Sequence, residues 1–306
     1  MSRSVAVLMG GWSSEREVSL VSGRDCAAAL EAQGYSVRRI DVTRDLDALL
    51  AALTPRPDVA FNALLGTGGE DGTIHGVLEF LRIPYTHSGL LASAVAMHKP
   101  TAKAVFAAAG LPLAEGRVVS RKELAQGDIY PRPFVVKPTA EGSSVGVRIV
   151  RSNDNSWAEE AKSWAYEENI VERFIPGREL TVAVMGERAL GVLEIRPNNA
   201  TVYDYNAKYA PGGSAHIVPA PIHAQAYAQA LDISLRAHRA VGCRGVSRSD
   251  LRYDDTAGEP GRMILLEINT QPGMTPTSLV PDIAKHAGTG FAELVRWMVE
   301  NASCDS

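Results

Sequence analysis

The chain is short of cysteine, of clustered histidine and of long apolar runs, and each shortage excludes something. Cys26, Cys243 and Cys304 are its only cysteines, and no two form a CxxC pair. A disulfide framework and a cysteine-held zinc site are therefore not expected, and a reducing cytoplasmic setting is. The seven histidines include no HExxH or comparable cluster. No stretch approaches the roughly 18 apolar residues of a membrane span. The opening MSRSVAVLMGG is too short for a signal h-region and is followed at once by charge. There is no basic block, and the net charge is −4, so no nucleic-acid partner is expected. Neither GxxxxGK[ST] nor GxGxxG occurs; Gly66, Gly68 and Gly69 come near and break at Asp71.

What is there is ordinary in bulk and specific in pattern. The 306 residues, 45% apolar and 22% charged, suffice for two or three soluble domains at about 100–150 residues each. Val5–Met9 reads as a strand ended by Gly10 and Gly11. Ser14 as N-cap with Glu17 at N3 predicts a capping box, followed by helical spacing at Leu20, Gly23, Ala27 and Leu30. Strands over 35–40 and 58–64 and a helix over 73–81 continue an alternation that implies a parallel sheet covered by helices. Residues 99–109 predict an Ala-rich helix. Strands follow over 131–137, 147–150, 169–174, 181–184, 190–195 and 263–268, with a long polar loop and a helix over 224–241. The loop, about 203–216, is expected to be mobile without ligand.

Two stretches carry chemistry. In ILLEINTQPGM, Ile264–Met274, an apolar strand ends with Glu267 and Asn269 on one face, and Pro272-Gly273 stops it. A buried carboxylate needs a cationic partner or a metal. An ordinary ion pair is one reading. Arg248 and Asp250 repeat the period of two, so a neighbouring strand end adds a second carboxylate, and hard oxygen ligands suit Mg²⁺. In FVVKPTAEGSSVGVRIV, Lys137 ends a strand and a Gly/Ser loop follows, giving backbone N–H groups and a point charge for an anion. Alone, that loop is better read as a plain hairpin.

Together the stretches GGWSSEREVSL, GGEDGTIHG, IPYTHSG, KPTAEGSSVG, YDYNAKY and EINTQPGMTPTSLVP, spread in order from residue 10 to about 281, resemble the D-alanine–D-alanine ligase family of the ATP-grasp superfamily. The resemblance implies a three-domain α/β ATP-grasp fold: an N-terminal parallel-sheet domain over 1–96 with the first D-alanine site, a central subdomain over 97–179, and a C-terminal catalytic domain over 180–306. It implies ligation of two D-alanines through a D-alanyl phosphate, with release of ADP and phosphate, for peptidoglycan synthesis. ATP and two Mg²⁺ ions, replaceable by Mn²⁺, are the implied cofactors, and a cytoplasmic homodimer without membrane or nucleic-acid partners is the implied setting.

Residue by residue, Lys99 and Lys137 match phosphate-binding lysines, and Ser143 and Ser144 lie in the flap over the phosphates. Glu172, Arg173, Phe174 and Ile175 match the adenine hinge, and Glu179 the ribose ligand. Asp250, Glu267 and Asn269 match magnesium ligands. Arg248 and the Gly273 N–H match groups that steady the acyl phosphate and tetrahedral oxyanion. Glu15 matches the carboxylate for the first ammonium group, Ser278 and Leu279 the site of the second carboxylate, and Lys208 and Tyr209 a loop that closes over both. The sequence departs from the family at Leu65, Thr67, His98 and Asn206, where histidine, arginine, aspartate and glutamate are usual, so altered first-site affinity is expected. Glu70 and Asp71 are expected to stabilise a turn. An ATP-grasp ligase of other small amino acids, or a degenerate nucleotide-binding paralogue, is the alternative.

Overall fold

The computed structural model describes residues 2–142, 145–197 and 213–305. Ser143, Ser144, Asn206, Lys208 and Tyr209 lie outside the described residues. Among the described residues, three sheets follow one another along the chain.

The first sheet is parallel, with β1 (Ser4–Gly10) between β2 (Ser36–Val42) and β3 (Val59–Asn62). Helix α1 (Arg16–Ala32) and α2 (Leu46–Ala52) make the crossovers. β1 is buried on both faces, which is why it reads as an uninterrupted apolar run. Val5 and Val7 enter one core cluster, Ala6 and Leu8 the other. α1 lies close on β1 at Gly23, where a Cβ would stand 2.4 Å from the Met9 Cβ.

The helix does not begin with the expected capping box. α1 starts at Arg16, Glu15 is its N-cap, and no side chain caps it. Ser13 takes up the local bonding instead. Its Oγ accepts from the Glu15 N–H at 3.2 Å and donates to the Leu65 carbonyl at 2.6 Å. The turn is thereby pinned to the 64–70 loop rather than to its own helix, and this leaves Glu15 on a cavity wall.

Helices α3 (Thr73–Phe80), α4 (Leu90–Met97) and α5 (Lys99–Ala108) lead to an antiparallel sheet. It is ordered β4-β7-β5-β6, from β4 (Gly116–Ser120), β5 (Phe134–Pro138), β6 (Arg148–Val150) and β7 (Glu168–Arg173). Phe134, Val136 and Val171 pack with Trp157 and Leu124 under α6 (Arg121–Leu124) and α7 (Trp157–Lys162). The alternate residues Val135, Lys137, Ile149 and Glu172 face the opposite way, into a cleft.

The third sheet, also antiparallel, runs β10-β9-β8-β11-β12. Its strands are β8 (Arg178–Met185), β9 (Arg188–Pro197), β10 (Ser214–Ile217), β11 (Val246–Asp254) and β12 (Arg262–Asn269). The stretch expected to be loop through His216 ends as strand: β10 pairs with the edge of β9, His216 opposite Ile195. An exposed β9 edge offers a row of unpaired backbone groups, and four residues are enough to occupy it. α8 (Ala224–Val241) covers one face with Ala226, Ala230, Ile233, Ala237 and Val241. α9 (Leu279–His286) and α10 (Phe291–Glu300) bury Ile283, Leu294 and Met298 against Val5, Val7 and Leu193.

Besides this shared core, hydrogen bonds join the first sheet to later parts of the chain. Gln271, just past β12, donates to the Asn62 carbonyl at 2.6 Å. The chain after α10 returns to the first sheet, where Tyr85 bridges Ala60 on one side and Ser303 on the other. There Asp305 accepts from the Leu90 N–H at 2.8 Å, and its own N–H donates to Glu79 at 2.7 Å. Among the described residues, no helix is long and apolar enough to cross a membrane.

Candidate active site

Two cavities meet between these sheets. The smaller, about 120 Å³, is a slot between the second and third sheets. Val135, Lys137, Ile149 and Glu172 form one wall, and Asp250, Arg252, Leu266 and Glu267 the other. Arg173, Phe174, Ile175 and Glu179 also line it. The larger, about 290 Å³, lies between the first and third sheets and carries Glu15, Leu65, Glu70, Arg248, Asn269, Gly273, Ser278 and Leu279. Lys99, Glu141 and Glu267 line both.

Lys137 and Glu172 come together because their strands are neighbours and both side chains leave the sheet on the slot face. Lys137 donates to Glu172 at 2.6 Å. Lys103, from α5, bonds the other carboxylate oxygen and also the Ala114 carbonyl at 3.0 Å. Burial works against the charge on Glu172, but the two lysines outweigh it and its pKa is lowered. Burial likewise opposes the charge on Lys137, and Glu172 and Glu267 more than offset it. Lys99 differs: burial is its largest influence and lowers its pKa, while its ammonium bonds the Glu141 carbonyl. It is a partly desolvated cation at the junction of the two cavities.

The strand-end cluster is set by register. β11 and β12 pair Asp250 with Glu267 and Arg248 with Asn269, directly opposite one another. Such pairs share a face with Cβ atoms about 4.5–5.5 Å apart. Between Asp250 and Leu251 the register shifts, so Leu251 faces Leu265 and Leu266 is the extra residue. A bulge of this kind re-aims side chains. It lets the consecutive Leu266 and Glu267 line the same slot, which a regular strand would forbid. Arg248 holds Asp250 in a fork, at 2.9 and 2.7 Å, and Thr181 adds a bond at 2.7 Å. Asn269 Oδ1 accepts from the Gln271 N–H at 2.7 Å.

In the larger cavity two carboxylates converge. A Cβ placed at Gly142 would stand 3.5 Å from Glu15 Oε2 and 3.7 Å from Glu70 Oε2. Burial first, and the Glu15 charge next, push the Glu70 pKa up to about 8. Glu70 does serve the turn, its carboxylate taking a hydrogen bond from the Gly66 backbone, and it also belongs to the cavity wall. Asp71 does hold the turn, accepting from Gly68 N–H at 2.8 Å and Thr73 N–H at 3.0 Å. Opposite, Ser278 Oγ accepts from the Thr275 N–H at 3.1 Å, and Gly273 lies beside it. Leu65 lines the cavity, whereas Thr67 is exposed. His98 lies outside both cavities, bonded to Thr101 Oγ1 at 2.6 Å.

The structure thus gathers Lys99, Lys137, Glu172, Arg173, Phe174, Ile175, Glu179, Asp250 and Glu267 around the slot. It gathers Glu15, Arg248, Asn269, Gly273, Ser278 and Leu279 around the larger cavity. Three contributors were not singled out from sequence. Lys103 sits four residues after Lys99 on α5, and that spacing was the available signal. Arg252 continues the Arg248, Asp250 period. It braces the 174–177 segment by donating to Ile175 O at 3.1 Å and Gly177 O at 2.7 Å. Thr181 opposes Asp250 across β8 and β11, a pairing with no local signature.

With this geometry in view, the relatives are consistent from end to end. The family described as D-ala D-ala ligase C-terminus matches residues 105–300. The D-alanine–D-alanine ligase of Granulibacter bethesdensis is 58% identical over 303 residues, 99% of this chain and 98% of its own. That of Paramagnetospirillum magneticum is 59% identical over the whole of both chains. Among solved structures, the D-alanine–D-alanine ligase from Bacillus anthracis complexed with ATP superposes with a TM-score of 0.81 at 31% identity, covering 98% of this chain and 97% of that one. The chain belongs to the D-alanine–D-alanine ligase family.

Proposed function

We propose that this protein joins two D-alanine molecules at the expense of ATP, giving D-alanyl-D-alanine, ADP and phosphate for peptidoglycan synthesis. The observation that carries the reading is the pair of cavities meeting at Lys99, Glu141 and Glu267. A slot with the form of a nucleotide cleft opens there onto a cavity with carboxylates for an ammonium group and a guanidinium for an acyl oxygen.

The chemistry is charge management. The carboxylate of the first D-alanine attacks the terminal phosphorus of ATP, and ADP leaves. The amine of the second attacks the resulting acyl phosphate, and the tetrahedral intermediate expels phosphate. Negative charge develops on phosphoryl and acyl oxygens in turn, so preorganised cations and N–H donors are the main catalytic need. We assign Lys99 and Lys137 to the phosphates, Glu172 through Ile175 to the adenine, and Glu179 to the ribose. Glu15 holds the first ammonium group. Arg248 and the Gly273 N–H meet the acyl oxygen. Ser278 and Leu279, at the start of α9, receive the second carboxylate, where a helix N-terminus favours an anion. Ser143, Ser144, Lys208 and Tyr209 are assigned to covering the reacting groups, where exclusion of water protects the acyl phosphate.

Asp250, Glu267 and Asn269 would hold Mg²⁺, as two ions. The donors fit: two carboxylates and an amide oxygen are hard ligands on adjoining strand ends. Among the described residues, no set of three His, Cys, Asp or Glu could hold a metal alone, and Mg²⁺ commonly completes such a partial set with phosphates. Bound there, it would neutralise charge on the transferring phosphoryl group. Residues 1–96, 97–179 and 180–306 are taken as the three domains, and a cytoplasmic homodimer as the working form.

The test is phosphate release with ATP, Mg²⁺ and a panel of D- and L-amino acids, with products identified by mass. Release with D-alanine alone and the dipeptide mass support the reading. Release only with another pair makes the chain a ligase of different specificity. Nucleotide binding without turnover on any pair leaves a non-catalytic paralogue.

A further inference from the structure

His216 is the one imidazole on the wall of the larger cavity among the described residues. It comes from β10, an edge strand, and its Nδ1 bonds Asp282 Oδ2 at 2.9 Å. Asp282 stands in the first turn of α9, and its N–H donates to the Ser278 carbonyl at 3.0 Å. Asp282 is not itself on the cavity wall, so its carboxylate fixes a ring that is. Ser278 does not cap α9 with its side chain, because its hydroxyl is engaged with Thr275 at 2.7 Å. The first N–H groups of an α-helix have no partner within the helix. The mouth of α9 is therefore an electropositive end that opens on the cavity beside an oriented imidazole.

We propose that His216 is a specificity-determining residue for the second amino acid, donating from Nε2 to its carboxylate at the start of α9, with Asp282 as its positioning residue. This rests on the ligase reading above. A carboxylate brought to this end of α9 would otherwise approach Asp282 as like charge. An imidazolium between them donates to both, Nδ1 to Asp282 and Nε2 to the ligand, and removes that repulsion. The other charged groups on the same wall are Glu15, Glu70, Lys99, Glu141, Arg248 and Glu267. The carboxylates among them suit the ammonium end of an amino acid, so His216 also sets its direction: carboxylate toward α9, amine toward the acyl carbon.

The experiment fits two Michaelis constants for D-alanine, with ATP saturating, in wild type, His216→Leu, His216→Gln and Asp282→Asn. His216→Leu is expected to raise the second constant about 10- to 150-fold, the range for loss of one charge-assisted contact, and to leave the first constant and that for ATP within twofold. His216→Gln keeps a donor and should recover part of the loss; Asp282→Asn should fall between. An unmoved second constant in both His216 variants, or an equal rise in the first and second constants, overturns the assignment. Wild-type protein that makes no dipeptide overturns the ligase reading itself, so the two failures are distinct.

Discussion

Asp250 and Glu267 stand opposite one another across β11 and β12, immediately before the bulge at Leu266. Asp250 is already held by Arg248 and Thr181, whereas Glu267 lies between the fields of Lys99 and Lys137 and lines both cavities. The two carboxylates are thus unequal: one is fixed by protein, the other positioned to answer to whatever occupies the junction.

Glu267→Gln should therefore separate chemistry from folding. Losses of about 10- to 100-fold follow removal of outer partners at metal sites, so loss of a direct ligand, the role proposed for Glu267, should lower turnover by more than about 100-fold. The thermal midpoint without ligand should stay close to wild type. A metal titration of turnover checks it: restored activity at high Mg²⁺ is expected, and unchanged activity at all concentrations would remove Glu267 from the metal site.

Lys103→Met tests the double clasp on Glu172. The carboxylate is 3% exposed and the lysines 15% and 10%. Breaking a buried pair costs about 3–5 kcal/mol, and the surviving Lys137 should hold the loss near the lower end. Urea unfolding measures it. The double variant Lys103→Met, Glu172→Gln should be less stable still, because it leaves the buried Lys137 ammonium without its bonded carboxylate.

Glu70 gives a pH test with a definite sign. Its pKa is raised from 4.5 to about 8. Between those values the folded protein keeps a proton that the unfolded chain has lost, so stability falls as pH rises through that window. Glu70→Gln should be the more stable protein at pH 8–9, with the difference shrinking toward pH 4–5. Thermal midpoints across pH 4.5–9 decide it. A constant offset between the two proteins would rule out the raised pKa.

The buried histidines act in the opposite direction. Burial lowers His75 to about 4, His87 to about 3 and His238 to about 4. They stay neutral in the fold while the unfolded chain takes up protons below about 6.5. Stability should fall as pH drops from 6.5 toward 4, by about 1.4 kcal/mol per pH unit for each group. His238→Gln, which can keep the bond to Ser247 Oγ, should flatten the slope by one such increment in urea titrations.

How far the sequence speaks can be read from particular residues. β1, β5 and α8 were legible because their apolar spacing is local. The placing of Glu267 and Asn269 on one face followed from the period of two, and their opposition to Asp250 and Arg248 fits it. The bulge at Leu266 was not legible, since it depends on how two strands align and not on either alone. Ser13 was missed for the same reason: its hydroxyl bonds a residue 52 positions away, and nothing nearby distinguishes it from Ser14. β10 was read as loop because four polar-flanked residues make a strand only when an edge stands ready. Lys103 had the right helical offset from Lys99, but its partner Glu172 is 69 residues on.

The return of the chain to Tyr85, Glu79 and Leu90 sets an order of events during synthesis. Residue 305 closes contacts with partners 215 and 226 positions earlier. At about 5–20 residues per second on the ribosome, roughly 10–40 s separate the emergence of Leu90 from that of Asp305. For that interval the first sheet has its strands but not its final bridge, and the amide of Leu90 waits for its acceptor. The N-terminal unit is in this sense made well before it is finished.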